Sequence, residues 1–208
     1  MLKELPVEVF VREVATASPA PSSGSVAALA VAQAAGLLSM YCNVSQDRGK
    51  LGDVVDIIRE AGEEARFLMI KQLEAIDEDT IGFNQVMDVF RMSKNGENEK
   101  ALRAVAIREA VSNAAEITLQ SARGSLRLLS LINEVACKGN SSALTDLGLA
   151  NLQAFSGLKG SYYNLKANLV MLKDTVKVKE FACEADEILK QGQNLFDQNR
   201  GRIEKALI

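Results

Sequence analysis

Residues 18–46 read SPAPSSGSVAALAVAQAAGLLSMYCNVSQ, and none is charged in a chain where 25% of residues are Asp, Glu, Lys or Arg. An uncharged run of this length suits a membrane span, a buried helix, or a binding loop that runs into one. A span needs about 20 apolar residues. The length is sufficient, but Ala, Gly and Ser dominate, Gln33 and Asn43 interrupt, and Leu, Ile and Phe are sparse. Transfer into lipid therefore gains little. Small side chains on every side instead let neighbouring backbones approach closely. The segment reads as the central helix of a bundle, beginning at Gly24 or Ser25 after a proline-stiffened loop, and no membrane contact is expected.

All three prolines fall within the first 21 residues, and the sequence after them runs in long helical periods with brief breaks. The expected fold is all-α: an antiparallel bundle of about six mostly long helices in a single domain over residues 1–208. A first helix is predicted over 2–15. QDRGKLGD ends the second helix, and a third follows from about Asp53 to Met92, with Val54, Ile57, Ile58, Ala61, Ala65, Leu68 and Met69 at helical spacing. A fourth is predicted from Glu97 to Cys137, stopped by Gly139. A fifth, capped by Asn140, Ser141 or Ser142, runs to about Lys173, and a last amphipathic helix covers Val178 to Ala206.

Composition removes several kinds of chemistry. The chain has no histidine, which excludes a Ser-His-Asp triad and any histidine-ligated metal. Proton transfer near neutral pH falls to Asp, Glu, Lys, Tyr, Cys or water. With 24 basic and 27 acidic residues, a net charge of −3 and no basic stretch interleaved with aromatics, nucleic acid is not an expected partner. Cysteines stand singly at 42, 137 and 183, which fits reduced thiols in the cytoplasm. The amino terminus, MLKELPVEVF, mixes acids among its apolar residues and does not read as a signal peptide.

Four stretches carry polar groups that could act chemically. PAPSSGS offers backbone N–H groups and hydroxyls at a helix start, suited to an anion or oxyanion, or simply to an N-cap. IDEDTIGF sets Asp79 and Phe83 on one helix face. If that face is buried, the carboxylate shifts towards useful acid–base behaviour; if not, it is a solvated acidic turn. GNSSALTDLG brings Asn140 and Asp146 to the start of the fifth helix, where a carboxylate also serves the helix dipole. YYNLKANL puts Asn164 and Asn168 one turn apart, as amide contacts to a flat heterocycle or as a helix–helix hydrogen-bonded pair.

Together and in this order, these stretches give the resemblance. SPAPSSGSVAALA is similar to a family stretch TPAPGGGSVAALA, NVSQDRGK to NLT followed by basic residues, DEDTIGF to D-x-D-x-x-x-F, GNSSALTD to G-N-x-x-x-x-S-D, and YNLKANL to N-x-x-x-N-L. The chain resembles the cyclodeaminase domain of formiminotransferase-cyclodeaminase and the related bacterial methenyltetrahydrofolate cyclohydrolases.

That resemblance implies an all-helical homodimer that binds a reduced folate in a cleft between helices. The implied reaction is cyclisation of 5-formimidoyltetrahydrofolate to 5,10-methenyltetrahydrofolate with loss of ammonia, or hydrolysis of 5,10-methenyltetrahydrofolate to 10-formyltetrahydrofolate, with no metal or other cofactor. By matched position, Asp79 and Asp146 are the acid–base carboxylates of one cleft. Asn140, Asn164 and Asn168 hold the pterin and its bridge, Gly24 and Ser25 line the cleft, and Asn43 also binds substrate. Arg48 and Lys50 suit the anionic tail. The alternative is a folate-binding or helical interaction protein without turnover.

The sequence departs from the family pattern at several positions. Ser22 and Ser23 replace two glycines, which predicts strain if those turns need positive φ and a narrower cleft. Asp47 stands beside the basic cluster where glycine is usual, and Ser93 and Thr118 stand where proline is common.

Overall fold

The structure is a computed structural model that describes residues 1–46 and 52–208. Arg48 and Lys50, expected to meet an anionic tail, lie outside the described residues, as does Asp47.

The described residues form six α-helices: α1 Val7–Val14, α2 Ser23–Gln46, α3 Val55–Arg91, α4 Glu97–Val135, α5 Leu144–Met171 and α6 Thr175–Leu207. The expected all-α class and helix number are met. The boundaries differ where local chemistry was underweighted. The first predicted helix is two pieces, a 3₁₀ turn at Leu2–Glu4 and then α1. Pro6 separates them because it has no N–H to continue a ladder and fits best at a helix start. Short 3₁₀ turns also precede α3 (Gly52–Val54) and α5 (Ser141–Ala143). The last helix begins earlier than predicted, because the Asp174 carboxylate accepts from the N–H groups of Val176 and Lys177 at 3.1 Å each.

Gly139 does not stop α4. That helix ends at Val135, and the left-handed residue after it is Cys137, at φ 63°. Gly139 is instead a close-approach site: a β-carbon there would lie 2.2 Å from Ser45 Oγ and 2.9 Å from the Tyr41 hydroxyl. The Tyr41 hydroxyl accepts from Gly139 N–H at 2.9 Å, and Ser45 Oγ accepts from Asn140 N–H at 2.8 Å. These bonds fasten the α4–α5 connection to the end of α2.

Side-chain pairs fix the topology. Ser25 meets Asp79 and Gly62 meets Cys42, so α2 and α3 are antiparallel. Ala27 meets Gly160 and Gln33 bonds Gln153, so α2 and α5 are antiparallel too. Arg127 pairs with Glu64 across α3 and α4, and Thr118 meets Asn164 across α4 and α5. Tyr162 bonds Asp186 and Asn151 bonds the Phe196 carbonyl, which sets α6 against α5. The five long helices alternate in direction, and α6 runs alongside α4 in the same sense, with Arg123 on Glu184 and Arg202 on the Asn133 carbonyl.

α2 is long and apolar enough to cross a membrane by length and composition. One side of it is covered by protein. Ala28, Val31, Ala34, Ala35 and Leu38 are buried against α3, α4 and α5. Small residues make this possible: a β-carbon on Gly157 of α5 would fall 2.3 Å from Val31 Cγ2 and 3.0 Å from the Ala27 carbonyl oxygen. The outer sides of α2 and α5 leave Val26, Met40, Leu149, Leu152 and Tyr163 exposed around the Gln33–Gln153 hydrogen bond.

Candidate active site

The amino terminus of α2 does hold an anion, and the anion belongs to the protein. Asp79, on α3, places its carboxylate against the first turn of α2. Ser25 Oγ lies 3.1 Å from Asp79 Oδ2, and Asn164 Nδ2 of α5 donates to Oδ1 at 3.0 Å. Ser25 Oγ also lies 3.0 Å from the Ile76 carbonyl oxygen and 3.3 Å from Thr80 Oγ1. Helix amino termini favour negative charge, so the expected oxyanion cradle is already occupied.

Burial acts in the opposite direction. It pushes the Asp79 carboxyl above its ordinary value of 3.8, against the lowering effect of the Ser25 hydroxyl, the Asn164 amide and the Ser25 backbone N–H. Taking a carboxylate out of water disfavours its charged form, and hydrogen bonds to that form recover only part of the loss. The outcome is a carboxylate held in place by donors yet more basic than a solvated one, as a proton acceptor near neutral pH requires. Burial also pushes the Cys42 thiol up to about 12, leaving it too weak an acid to take part.

Asp79 opens onto a cleft of about 70 Å³ between α3, α4 and α5. Its walls are mostly apolar, with Phe83, Val86, Met87, Ile117 and Met171, and its polar rim is Ser22, Asn164 and Asn168. Asp79 and Phe83 share the cleft, as their spacing on one helix face predicts. Ser22 stands on its lining. No strain accompanies Ser22 and Ser23, however: Cys137 is the one described residue other than glycine with positive φ. The Ser22 carbonyl accepts from Val26 N–H at 3.0 Å and starts α2 in an ordinary conformation.

Asn164 and Asn168 combine both readings offered by the sequence. Each donates from Nδ2 to Thr118 Oγ1 of α4 at 3.4 Å, and Thr118 sends its own proton to the Ala114 carbonyl at 3.0 Å. The two amide nitrogens are thereby turned towards α4. Neither amide oxygen has a partner among the described residues, and both side chains line the cleft. Thr118, noted in the sequence only as a departure from proline, is thus part of the site. No sequence period marks it, since its role comes from facing another helix. Gly24 and Ser25 lie behind the carboxylate rather than on the cleft wall.

The remaining positions are far away. Asp146 and Asn164 both belong to α5 and are about 27 Å apart along its axis. Asn43 and Ser25 are separated by a similar length of α2, about 27 Å. Asn43, Asn140 and Asp146 therefore gather at the other end of the bundle, where Asn140 Nδ2 donates to the Val44 carbonyl at 3.4 Å. The single cleft expected to hold both aspartates does not exist within one chain, because an unbroken helix keeps its two ends apart. Among the described residues, no three His, Cys, Asp or Glu side chains gather as a metal site requires.

Comparison with known proteins gives consistent matches. Residues 6–187 match the family model described as formiminotransferase-cyclodeaminase. A methenyltetrahydrofolate cyclohydrolase of Methylorubrum extorquens is 31% identical over 192 residues, covering 92% of this chain and 92% of that protein. A formimidoyltransferase-cyclodeaminase of Mus musculus is 30% identical over 167 residues, covering 80% of this chain and 31% of that larger protein. The crystal structure of a formiminotetrahydrofolate cyclodeaminase of Thermotoga maritima superimposes with a TM-score of 0.89 over 100% of both chains, at 20% identity, a likeness of fold.

Proposed function

The chain belongs to the formiminotransferase-cyclodeaminase family, and from that premise we propose that it is a folate one-carbon enzyme that acts at the N5/N10 bridge. Hydrolysis of 5,10-methenyltetrahydrofolate to 10-formyltetrahydrofolate is the preferred reaction, because a relative 31% identical over 92% of both chains is named for it. The observation that carries the reading is Asp79, a buried carboxylate of raised basicity open to an apolar cleft.

The methenyl bridge is a cationic amidinium, so a buried anion attracts the reacting carbon. Water adds to that carbon as Asp79 takes its proton, giving a neutral tetrahedral adduct. The C–N5 bond then breaks and its electron pair goes to N5, which takes the proton held by Asp79, while the adduct's hydroxyl gives its proton to the freed carboxylate as the formyl C=O forms. The carbon keeps its oxidation level, so no redox cofactor enters the scheme. The free amide oxygens of Asn164 and Asn168 suit the ring N–H donors of a reduced pterin. Cyclodeamination would use the same carboxyl to protonate the departing ammonia.

The active unit in this reading is a homodimer in the cytoplasm. Three unpaired thiols suit a reducing compartment. A two-fold axis across α2 and α5 exchanges the ends of the bundle. It would cover the exposed apolar residues there and bring Asn43, Asn140 and Asp146 of one copy to the Asp79 cleft of the other.

The test follows the loss of methenyltetrahydrofolate absorbance, with formimidoyltetrahydrofolate as the second substrate. D79N should abolish turnover with the helical circular-dichroism spectrum intact, and full activity in D79N would end the reading. D79N and D146N, each inactive, should regain activity when refolded together, since one shared site then carries both wild-type aspartates. No recovery would overturn the site shared between two copies.

A further inference from the structure

A second pocket, of about 250 Å³, adjoins the Asp79 cleft through a common wall, Met171. Its polar lining is entirely cationic: Lys94, Lys100, Arg103, Arg108 and Lys173, with no carboxylate among the lining residues. The chain as a whole is acidic, so this concentration is local. Lys100 is engaged by Glu97 at 2.7 Å. Lys94, Arg108 and Lys173 have no ion pair among the described residues.

Arg103 is the most telling member. Its Nη2 donates to the Phe90 carbonyl at 2.9 Å, and its guanidinium lies 5.8 Å from the Phe90 ring centre. Its Nε is buried without a hydrogen-bond partner. A buried donor on a cation is costly to leave unpaired, and guanidinium groups suit carboxylates because two parallel N–H bonds match the two oxygens.

We propose that this pocket binds the carboxylates of the substrate's glutamate tail, with Arg103 as the fixed donor and Lys94, Arg108 and Lys173 as the surrounding field. The proposal rests on the folate reading above, gives the tail to this pocket rather than to Arg48 and Lys50, which lie outside the described residues, and adds the direction in which the substrate lies. Ile107 lines the basic pocket and Ala114 the cleft, and they are about 10 Å apart along α4, a span suited to the aminobenzoyl unit between bridge and tail. The pterin and its bridge meet Asp79, the benzoyl ring passes over Met171, and the tail ends among the cations. Tail binding weakens with added salt, because the surrounding lysines are exposed.

The test compares 5,10-methenyltetrahydrofolate with 5,10-methenyltetrahydropteroate, which lacks glutamate, on the wild type, R103M and the surface double variant R108Q/K173Q. For the tailed substrate, KM should rise roughly ten- to a hundredfold in R103M, the range for one charged hydrogen bond, with kcat unchanged. The tail-less substrate should show a raised KM in the wild type and no further change in either variant. Unchanged KM for the tailed substrate, or equal rises for both, would overturn the assignment. Binding of p-aminobenzoyl-triglutamate, followed by NMR, separates this from the activity. Binding that is lost in R103M supports the pocket even if neither folate is turned over, and no binding to the wild type removes the pocket while leaving any turnover intact. Displacement of that fragment by equimolar free glutamate would assign the pocket to a free dicarboxylate and overturn the proposal.

Discussion

The position of a β-carbon on Gly24 falls 1.9 Å from Oδ1 of Asp79 and 2.5 Å from Nδ2 of Asn164. The carboxylate thus occupies the space that any other residue at position 24 would fill. Three helices meet at this point, and the absence of a side chain on one of them sets the position of the acid carried by the second.

Gly24→Ala should therefore displace Asp79 and cut turnover towards the level of D79N. Overpacking at such a contact costs about 1–3 kcal/mol, measurable by urea unfolding. Gly201→Ala is the control. A β-carbon there meets nothing within 4 Å, and the substitution in α6 should stabilise by about 0.5–1 kcal/mol with activity unchanged.

Asp79→Asn should raise stability in a pH-dependent way. The folded carboxyl has a higher pKa than the unfolded one, so the folded state binds the extra proton. Its contribution is present below the ordinary carboxylate value and is lost as pH rises through the raised folded value. Thermal melts should show the Asn variant gaining on the wild type across that window and holding a constant lead above it. A lead that is independent of pH would mean that Asp79 titrates like a solvated acid.

Ser25→Ala removes a hydrogen bond that lowers the Asp79 value. The acid limb of the kcat profile should move to higher pH, because a carboxylate with one donor fewer holds its proton longer. The rate on the alkaline side of that limb should fall less than in D79N. A limb that stays in place would separate Asp79 from the ionisation seen in turnover.

Asn199 has no exposed surface and donates to the Leu129 carbonyl at 2.9 Å and to Asn151 Oδ1 at 3.0 Å. Asn199→Ala leaves both acceptors buried without this donor and should cost about 1–3 kcal/mol, with KM and kcat unchanged in the remaining folded protein. Chemical denaturation beside steady-state kinetics measures both. An unaltered midpoint would mean that water replaces the amide.

Helical periodicity was legible because it is local: each long helix carries its buried stripe in its own spacing, and the small residues Ala28, Ala34 and Ala35 of the uncharged run are buried. Pro6 and Asp174 were also legible in principle, since a missing N–H and a capping carboxylate act within a few residues. The motif order located Asp79, Asn164 and Asn168 as parts of one site, and the structure brings those three together.

The sequence by itself determined a helical bundle of this family, with a small-sided central helix and an acid, two amides and a glycine as its chemical parts. Tertiary structure alone decided how they divide. It set Asp79 at the start of α2, recruited Thr118, separated Asp146 from Asp79 by most of the length of α5, and joined a cationic pocket to the cleft across Met171. The physical reason is range. Helix formation and capping act over one or two turns, whereas carboxylate burial and the meeting of side chains on different helices depend on which elements pack together.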